Sequence, residues 1–240
     1  MPSTVYIEPS VSLETRMMAA FDELGIREEK RVIMLAYLAP LRDKSPVTHE
    51  HYEHSIRVAL VARAIARFMH LEEKALFYAG MLHDIGKVMV REETLGKTNG
   101  WSEADALEME AHVMDSWRML RDRFDFTAAV IVRHHRFQRR GYPEVLPPNL
   151  HQFSRGTEIE IDFYARLLAL ADVYDAMHRI NDATGGKALT GEEIKQRMFD
   201  TNPDQRYLIG QLYEAGILTT TIYSFVPIAK RETVLATTSP

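Results

Sequence analysis

The chain has 240 residues, with 29 Lys+Arg against 34 Asp+Glu for a formal net charge of −5, and 46% of it is hydrophobic. That composition excludes a disordered chain, and the acidic balance argues against general nucleic-acid binding, which needs a basic face. The absence of cysteine excludes disulfide scaffolds, thiolate metal sites and cysteine nucleophiles.

The first ten residues, with Pro2 and Pro9, show little periodicity. Ser12 to Leu24, ending at Gly25, and Arg27 to Leu38, halted by Pro40, read as helices. Arg42 to Thr48 reads as a polar linker, which divides an N-terminal helical extension (1–47) from a main body (48–218). Val58, Val61, Ile65 and Phe68 then recur at helical spacing, with Arg63 and Arg67 on the other side. Leu71 to Leu82 is a second helix of the body, and Ser102 with Asp105 forms a capping box before a helix carrying Met109, Ser116 and Met119. Phe126 to His134 reads as a short helix, Gly141 to Gly156 as a loop, and Ile161 to Met177 and Gly191 to Phe199 as helices. A tail (219–240) has strand character over Thr219 to Val226. The fold class expected is all-α.

The longest run without a charge, Ala215 to Ala229, is too short and threonine-rich to span a bilayer. Glu8, Glu14 and Asp22 interrupt the only stretch resembling an export signal, so a cytoplasmic location is expected, with no membrane partner.

The chemistry lies in where the histidines fall. Extending the Val58–Val61–Ile65 stripe backward lands on His54 and Glu50, four residues apart on one inward face. His83-Asp84 follow the apolar Ala79 and Leu82, and Gly86 lets the chain turn away from the helix end. His112 shares the Met109–Ser116–Met119 face, and Asp172 the Ile161–Ala165–Leu168 face, where a lone carboxylate is costly to bury. His134 and His135 are adjacent, so on a helix their side chains diverge by about 100° and suit two metals, or one metal and a supporting hydrogen bond, better than one metal together. Imidazoles and carboxylates without thiolates suit Fe, Mn, Zn, Co or Ni rather than Ca. Eight ligands (Glu50, His54, His83, Asp84, His112, His134, His135 and Asp172) exceed one mononuclear site, so two divalent transition metals are expected, or three. Lys87, one turn past Asp84, is placed to meet a phosphate oxygen or the nucleophilic water. Arg136, Arg139 and Arg140 beside the double histidine suit a phosphate-bearing substrate. His49, His51, His70, His151 and His178 read as surface or capping residues.

His54, then Met81-Leu82-His83-Asp84-Ile85-Gly86-Lys87, then Asp172, resemble the HD superfamily of metal-dependent phosphohydrolases. His112, His134-His135, Gly141-Tyr142-Pro143 and Ala171-Asp172-Val173-Tyr174-Asp175-Ala176 resemble its HD-GYP branch, many of whose members hydrolyse cyclic di-GMP. The resemblance covers about Thr48 to Leu218. It implies a helical bundle around a di- or tri-metal centre, with Glu50 matching the extra ligand of trinuclear members and metals of the Fe or Mn kind. The chain departs from the branch at Arg136 and Gln138-Arg139-Arg140, and at Asn181-Asp182-Ala183 where a phosphate-holding Arg-Pro-Tyr segment is expected.

The activity expected is hydrolysis of a phosphoester, a nucleotide or cyclic nucleotide phosphodiester, by a metal-activated water. Asp84 would bridge the metals, Lys87 would assist, and Arg136, Arg139, Arg140 and Tyr142 would hold the small phosphorylated substrate. Weak cyclic di-GMP turnover is expected, because Asn181-Asp182-Ala183 offers no cation. Two alternatives share the ligand types: a di-iron oxygenase on the same scaffold, and a catalytically weak regulatory module.

Overall fold

A computed structural model describes residues 12–148, 152–179, 184 and 186–219. Ten α-helices run through them: α1 (Leu13–Glu23), α2 (Glu28–Asp43), α3 (Pro46–Phe68), α4 (Glu73–Leu82), α5 (Glu92–Leu95), α6 (Glu103–Leu120), α7 (Asp125–Ile131), α8 (Arg155–Met177), α9 (Gly191–Thr201) and α10 (Arg206–Glu214). Short 3₁₀ turns follow α4 (Ile85–Met89), α7 (His134–Phe137) and α9 (Pro203–Gln205). Among the described residues there is no strand, as an all-α chain requires. Residues 220–226 of the expected strand lie outside the described residues, as do His151 and Asn181-Asp182-Ala183.

Helix α3 is the axis of the bundle, with α4, α2, α8 and α1 packed around it. Its inward stripe, Ile56, Val58, Ala59, Ala62, Ile65 and Ala66, is fully buried. Small residues let α4 approach closely: a Cβ at Gly80 would collide with the Ala59 backbone. Met17, Phe21, Met34, Leu38 and Leu41 of α1 and α2 belong to the same apolar cluster as α3, α4, α7 and α8. Phe21 meets Phe77 edge-on, with ring centroids 5.6 Å apart.

The polar linker expected over Arg42 to Thr48 is not one. Helix α2 runs through Pro40 to Asp43, and α3 begins at Pro46. Pro40 forfeits one backbone bond, but Leu38 and Leu41 on either side are fully buried and hold the turn in place. The Ser45 side chain accepts from the Thr48 N–H and the Thr48 side chain answers at Ser45, with Pro46 at the first helical position. The polar residues are therefore a helix start. Likewise Ser154 caps α8 at Arg155, so the expected Gly141–Gly156 loop ends earlier than its glycine.

Candidate metal centre

The site lies where α3, α4, α6 and α8 meet the two 3₁₀ turns that follow α4 and α7. Each histidine is aimed by its own backbone. The His83 ring nitrogen Nδ1 bonds the Gly80 carbonyl at 2.8 Å, and His134 Nδ1 bonds the Ile131 carbonyl at 2.5 Å. His112 Nδ1 bonds the Met109 carbonyl in the same way. A carbonyl accepts only from N–H, so the proton sits on Nδ1 and the Nε2 lone pair points away from the helix into the site. His54 is held from further off, Nδ1 to Asp175 Oδ2 at 2.7 Å, and Asp175 is itself gripped by Arg57 Nε at 2.8 Å. Gln138 meets His135 Nδ1 at 2.6 Å. An amide can present either end, and its oxygen gives His135 the same tautomer as the others.

The freed Nε2 atoms converge on two carboxylates. Asp84 Oδ1 is 3.0 Å from His112 Nε2, while its Oδ2 is 3.2 Å from His83 Nε2 and 3.4 Å from His54 Nε2. Asp172 Oδ1 is 3.2 Å from His54 Nε2, and its Oδ2 lies 4.0 Å from His134 Nε2. Three groupings have ligand atoms within 4.8 Å of one another: Asp84 with His112, His134 and His135; His54 with His83 and Asp84; and His83 with His134 and Asp172. Asp84 belongs to two of them, one oxygen turned to each.

Whether these residues fit a metal is decided by their unspent polar atoms. Asp84 Oδ1 and the Nε2 atoms of His112, His134 and His135 are buried and make no hydrogen bond, while Asp84 Oδ2 is paired with the Lys87 ammonium. Buried groups of this kind are costly unless something pairs them. Nitrogen lone pairs facing carboxylate oxygens repel, and only a proton or a cation between them reverses the sign. Donors sharing one ion at about 2.0–2.2 Å stand about 3.0–3.4 Å from each other, which is the spacing found around Asp84. The donor set fits divalent metal ions.

The electrostatics agree. Burial pushes the Asp84 carboxyl up, but the charges of His83, Lys87 and His112 outweigh it and hold it well below the carboxylate range. Asp172 behaves alike, burial being overcome by the His54 hydrogen bond and by His54, His83 and His135. His54 loses from burial and from Arg179, yet Asp172, Asp175 and Asp84 raise it to about 9. Three carboxylates thus favour positive charge at this ring. Burial, then the charge of His83, lowers His134 to about 4, and burial lowers His135 well below its ordinary range, so both stay neutral as ligands must.

Lys87 Nζ lies 2.6 Å from Asp84 Oδ2 at the edge of the cluster. Tyr142 stacks on His135 with centroids 4.6 Å apart at 24°. Gly141 makes that return possible, since a Cβ there would strike the Arg136 carbonyl. Glu50 joins none of the three groupings; its carboxylate faces Arg57 at 3.4 Å. Arg136 and Arg139 are exposed beyond the double histidine, and Arg140 Nε sits 3.7 Å from Glu110.

Two expectations need correction. His134 and His135 do not diverge: they sit on a 3₁₀ turn beyond α7, their ring centroids are 3.9 Å apart, and both enter one grouping, while His134 also enters the grouping with His83 and Asp172. His51 is not a surface residue; it is 7% exposed, with Nδ1 buried and unbonded. Sequence reasoning also missed Asp175, Ser116 and Arg179. Asp175 lies three residues after Asp172 on the same helix face, a signal that was present. The Ser116 hydroxyl accepts from the Gly86 N–H at 2.8 Å and docks the Asp84-bearing turn on α6, a contact only the packing reveals.

The HD domain family model matches residues 51–177. The chain belongs to the HD domain family. It is 30% identical over 177 residues to a 3′3′-cGAMP-specific phosphodiesterase 1 of Vibrio cholerae, covering 70% of this chain and 37% of that protein. It is 31% identical over 176 residues to the cyclic di-GMP phosphodiesterase response regulator RpfG of Xanthomonas campestris, covering 70% of this chain and 43% of that one. The HD domain of the Listeria monocytogenes phosphodiesterase PgpH aligns with 73% of this chain and 86% of that one, at 18% identity and a TM-score of 0.48. The chain spans less than half the length of the curated relatives named here. No helix among the described residues is long and apolar enough to cross a membrane.

Proposed function

We propose that this HD domain is a metal-dependent phosphodiesterase acting on a nucleotide, with cyclic dinucleotides the class suggested by its relatives' names. The observation that carries the reading is the set of buried, unbonded donors on Asp84, His112, His134 and His135. His54, His83, His112, His134, His135, Asp84 and Asp172 would hold two divalent ions of the Fe or Mn kind, with Zn, Co or Ni also suited to these donors. Bound together, such ions supply a hydroxide-like water and stabilise the charge developing on phosphorus. The rim position of Glu50 beside Arg57 favours two ions over three.

The chain's own residues do the rest. Asp84 presents one oxygen to each histidine group, which suits a bridge. Lys87 neutralises Asp84 and offers donors to a phosphate oxygen at the mouth. Asp175 keeps the His54 proton on Nδ1 and so leaves Nε2 free. Tyr142 walls the site over His135, and Arg136, Arg139 and Arg140 stand where a second part of the substrate would lie. The expectation of weak cyclic di-GMP turnover loses part of its ground, because Arg179 supplies a cation two residues before Asn181. The division into 1–47, 48–218 and 219–240, and a cytoplasmic location, are parts of this reading.

The test is hydrolysis of cyclic dinucleotides and of bis(p-nitrophenyl) phosphate by Mn-reconstituted protein. Turnover lost with a chelator and regained on adding Mn supports the reading. Turnover indifferent to chelation, or none with any phosphoester, overturns it.

A further inference from the structure

Among the histidines at this site, His51 alone is not anchored. The rings of His54, His83, His112, His134 and His135 each have Nδ1 tied to a carbonyl, a carboxylate or an amide. His51 has Nδ1 buried without a partner. The residue is only 7% exposed. The ring stands edge-on to His54, with centroids 6.5 Å apart.

Two cations stand on either side of the His54 ring that His51 packs against, each through a carboxylate. Lys87 lies 2.6 Å from Asp84 Oδ2, which faces His54 Nε2. Arg179 Nε lies 3.8 Å from Asp175 Oδ2, on the Nδ1 side of His54, and that nitrogen is buried without a hydrogen bond. Burial first, then the positive charges of Lys87 and Arg179, holds His51 neutral. A buried, unanchored imidazole packed against His54 has no internal partner to account for it. A ring bonded to nothing suits a partner that arrives from outside, and the surrounding charge selects an anion. His51 also stays out of the ligand groupings, although His54, three residues on along α3, belongs to one.

We propose that His51 is a substrate-contacting residue, donating a hydrogen bond from its imidazole to a phosphate oxygen held between Lys87 and Arg179. This rests on the phosphodiesterase reading and extends it, placing a phosphate subsite on the α3–α8 side of the cluster, apart from Arg136, Arg139 and Arg140. His51 is not a metal ligand in this scheme. Its removal therefore weakens phosphate binding without emptying the metal site.

The experiment compares the full chain with its His51→Ala and His51→Asn variants, each assayed for metal content, for binding of inorganic phosphate by calorimetry, and for hydrolysis of bis(p-nitrophenyl) phosphate. Metal content and melting temperature should be unchanged. Phosphate affinity should fall about tenfold in His51→Ala, the loss expected for one hydrogen bond to a charged group, and return in part in His51→Asn. KM should rise more than kcat falls. Equal phosphate affinity in all three proteins overturns the proposal, as does metal loss in both variants. If His51-dependent phosphate binding is found but wild-type protein hydrolyses no phosphoester, the subsite stands and the enzymatic reading fails.

Discussion

Asp84 and Lys87 sit 2.6 Å apart but have separable duties. Asp84→Ala removes the carboxylate shared by two ligand groupings, so metal content and turnover should both collapse. Lys87→Ala leaves every grouping intact; metal should stay bound while turnover drops by roughly 10²-fold, the usual loss for one donor aimed at developing charge. Metal analysis with initial rates separates the two, and equal metal loss in both variants would make Lys87 structural instead. Asp175→Asn tests the anchor of His54. It keeps the shape but weakens the bond that fixes the ring, so metal affinity should fall by about 10- to 100-fold, measured by competition with a chromophoric chelator. Unchanged affinity would show that His54 needs no such partner. Most of the ligands were legible in the sequence, because an ionisable residue on an apolar stripe must point inward. Asp175 was signalled by its spacing from Asp172, but its role as the anchor of His54 was not, and neither was the burial of His51, since both depend on what faces them across the bundle.

At the level of elements, the turn that carries Asp84 is fixed by one glycine. A Cβ on Gly86 would collide with the His112 carbonyl and the Ser116 backbone of α6. Gly86→Ala should therefore push that turn off α6, destabilise the fold by about 1–3 kcal/mol or more, and lower metal affinity as Asp84 moves. Thermal unfolding and metal titration read the two effects, and a variant matching wild type in both would show the packing to be more compliant than the geometry indicates. The long amphipathic helices and the Ser102–Asp105 capping box were readable from periodicity and spacing alone. The start of α3 was not, because Ser45, Pro46 and Thr48 serve equally as linker residues and as a helix cap, and only the buried Thr48 distinguishes them. The 3₁₀ turns after His83-Asp84 and at His134-His135 escaped for a related reason. Their few residues carry no period, and yet they decide which way four ligands point.

Over the whole molecule, α1 and α2 share one apolar cluster with the helices that carry the site. A chain beginning at residue 48 would lose Phe21, Met34, Leu38 and Leu41, all fully buried, and expose the α3 and α4 faces they cover. Each large buried side chain is worth about 2–5 kcal/mol, so the shortened chain should melt far below the full one or aggregate. Equal melting temperatures would show that the N-terminal helices are a dispensable addition. The buried, unbonded donors around Asp84 are there to hold metal. Elemental analysis of the protein purified without chelator, and again after Mn or Fe reconstitution, tests this most directly. Two equivalents of divalent metal per chain are expected, falling below one in Asp84→Ala. Wild-type protein that stays folded and takes up no divalent ion in either preparation would contradict it.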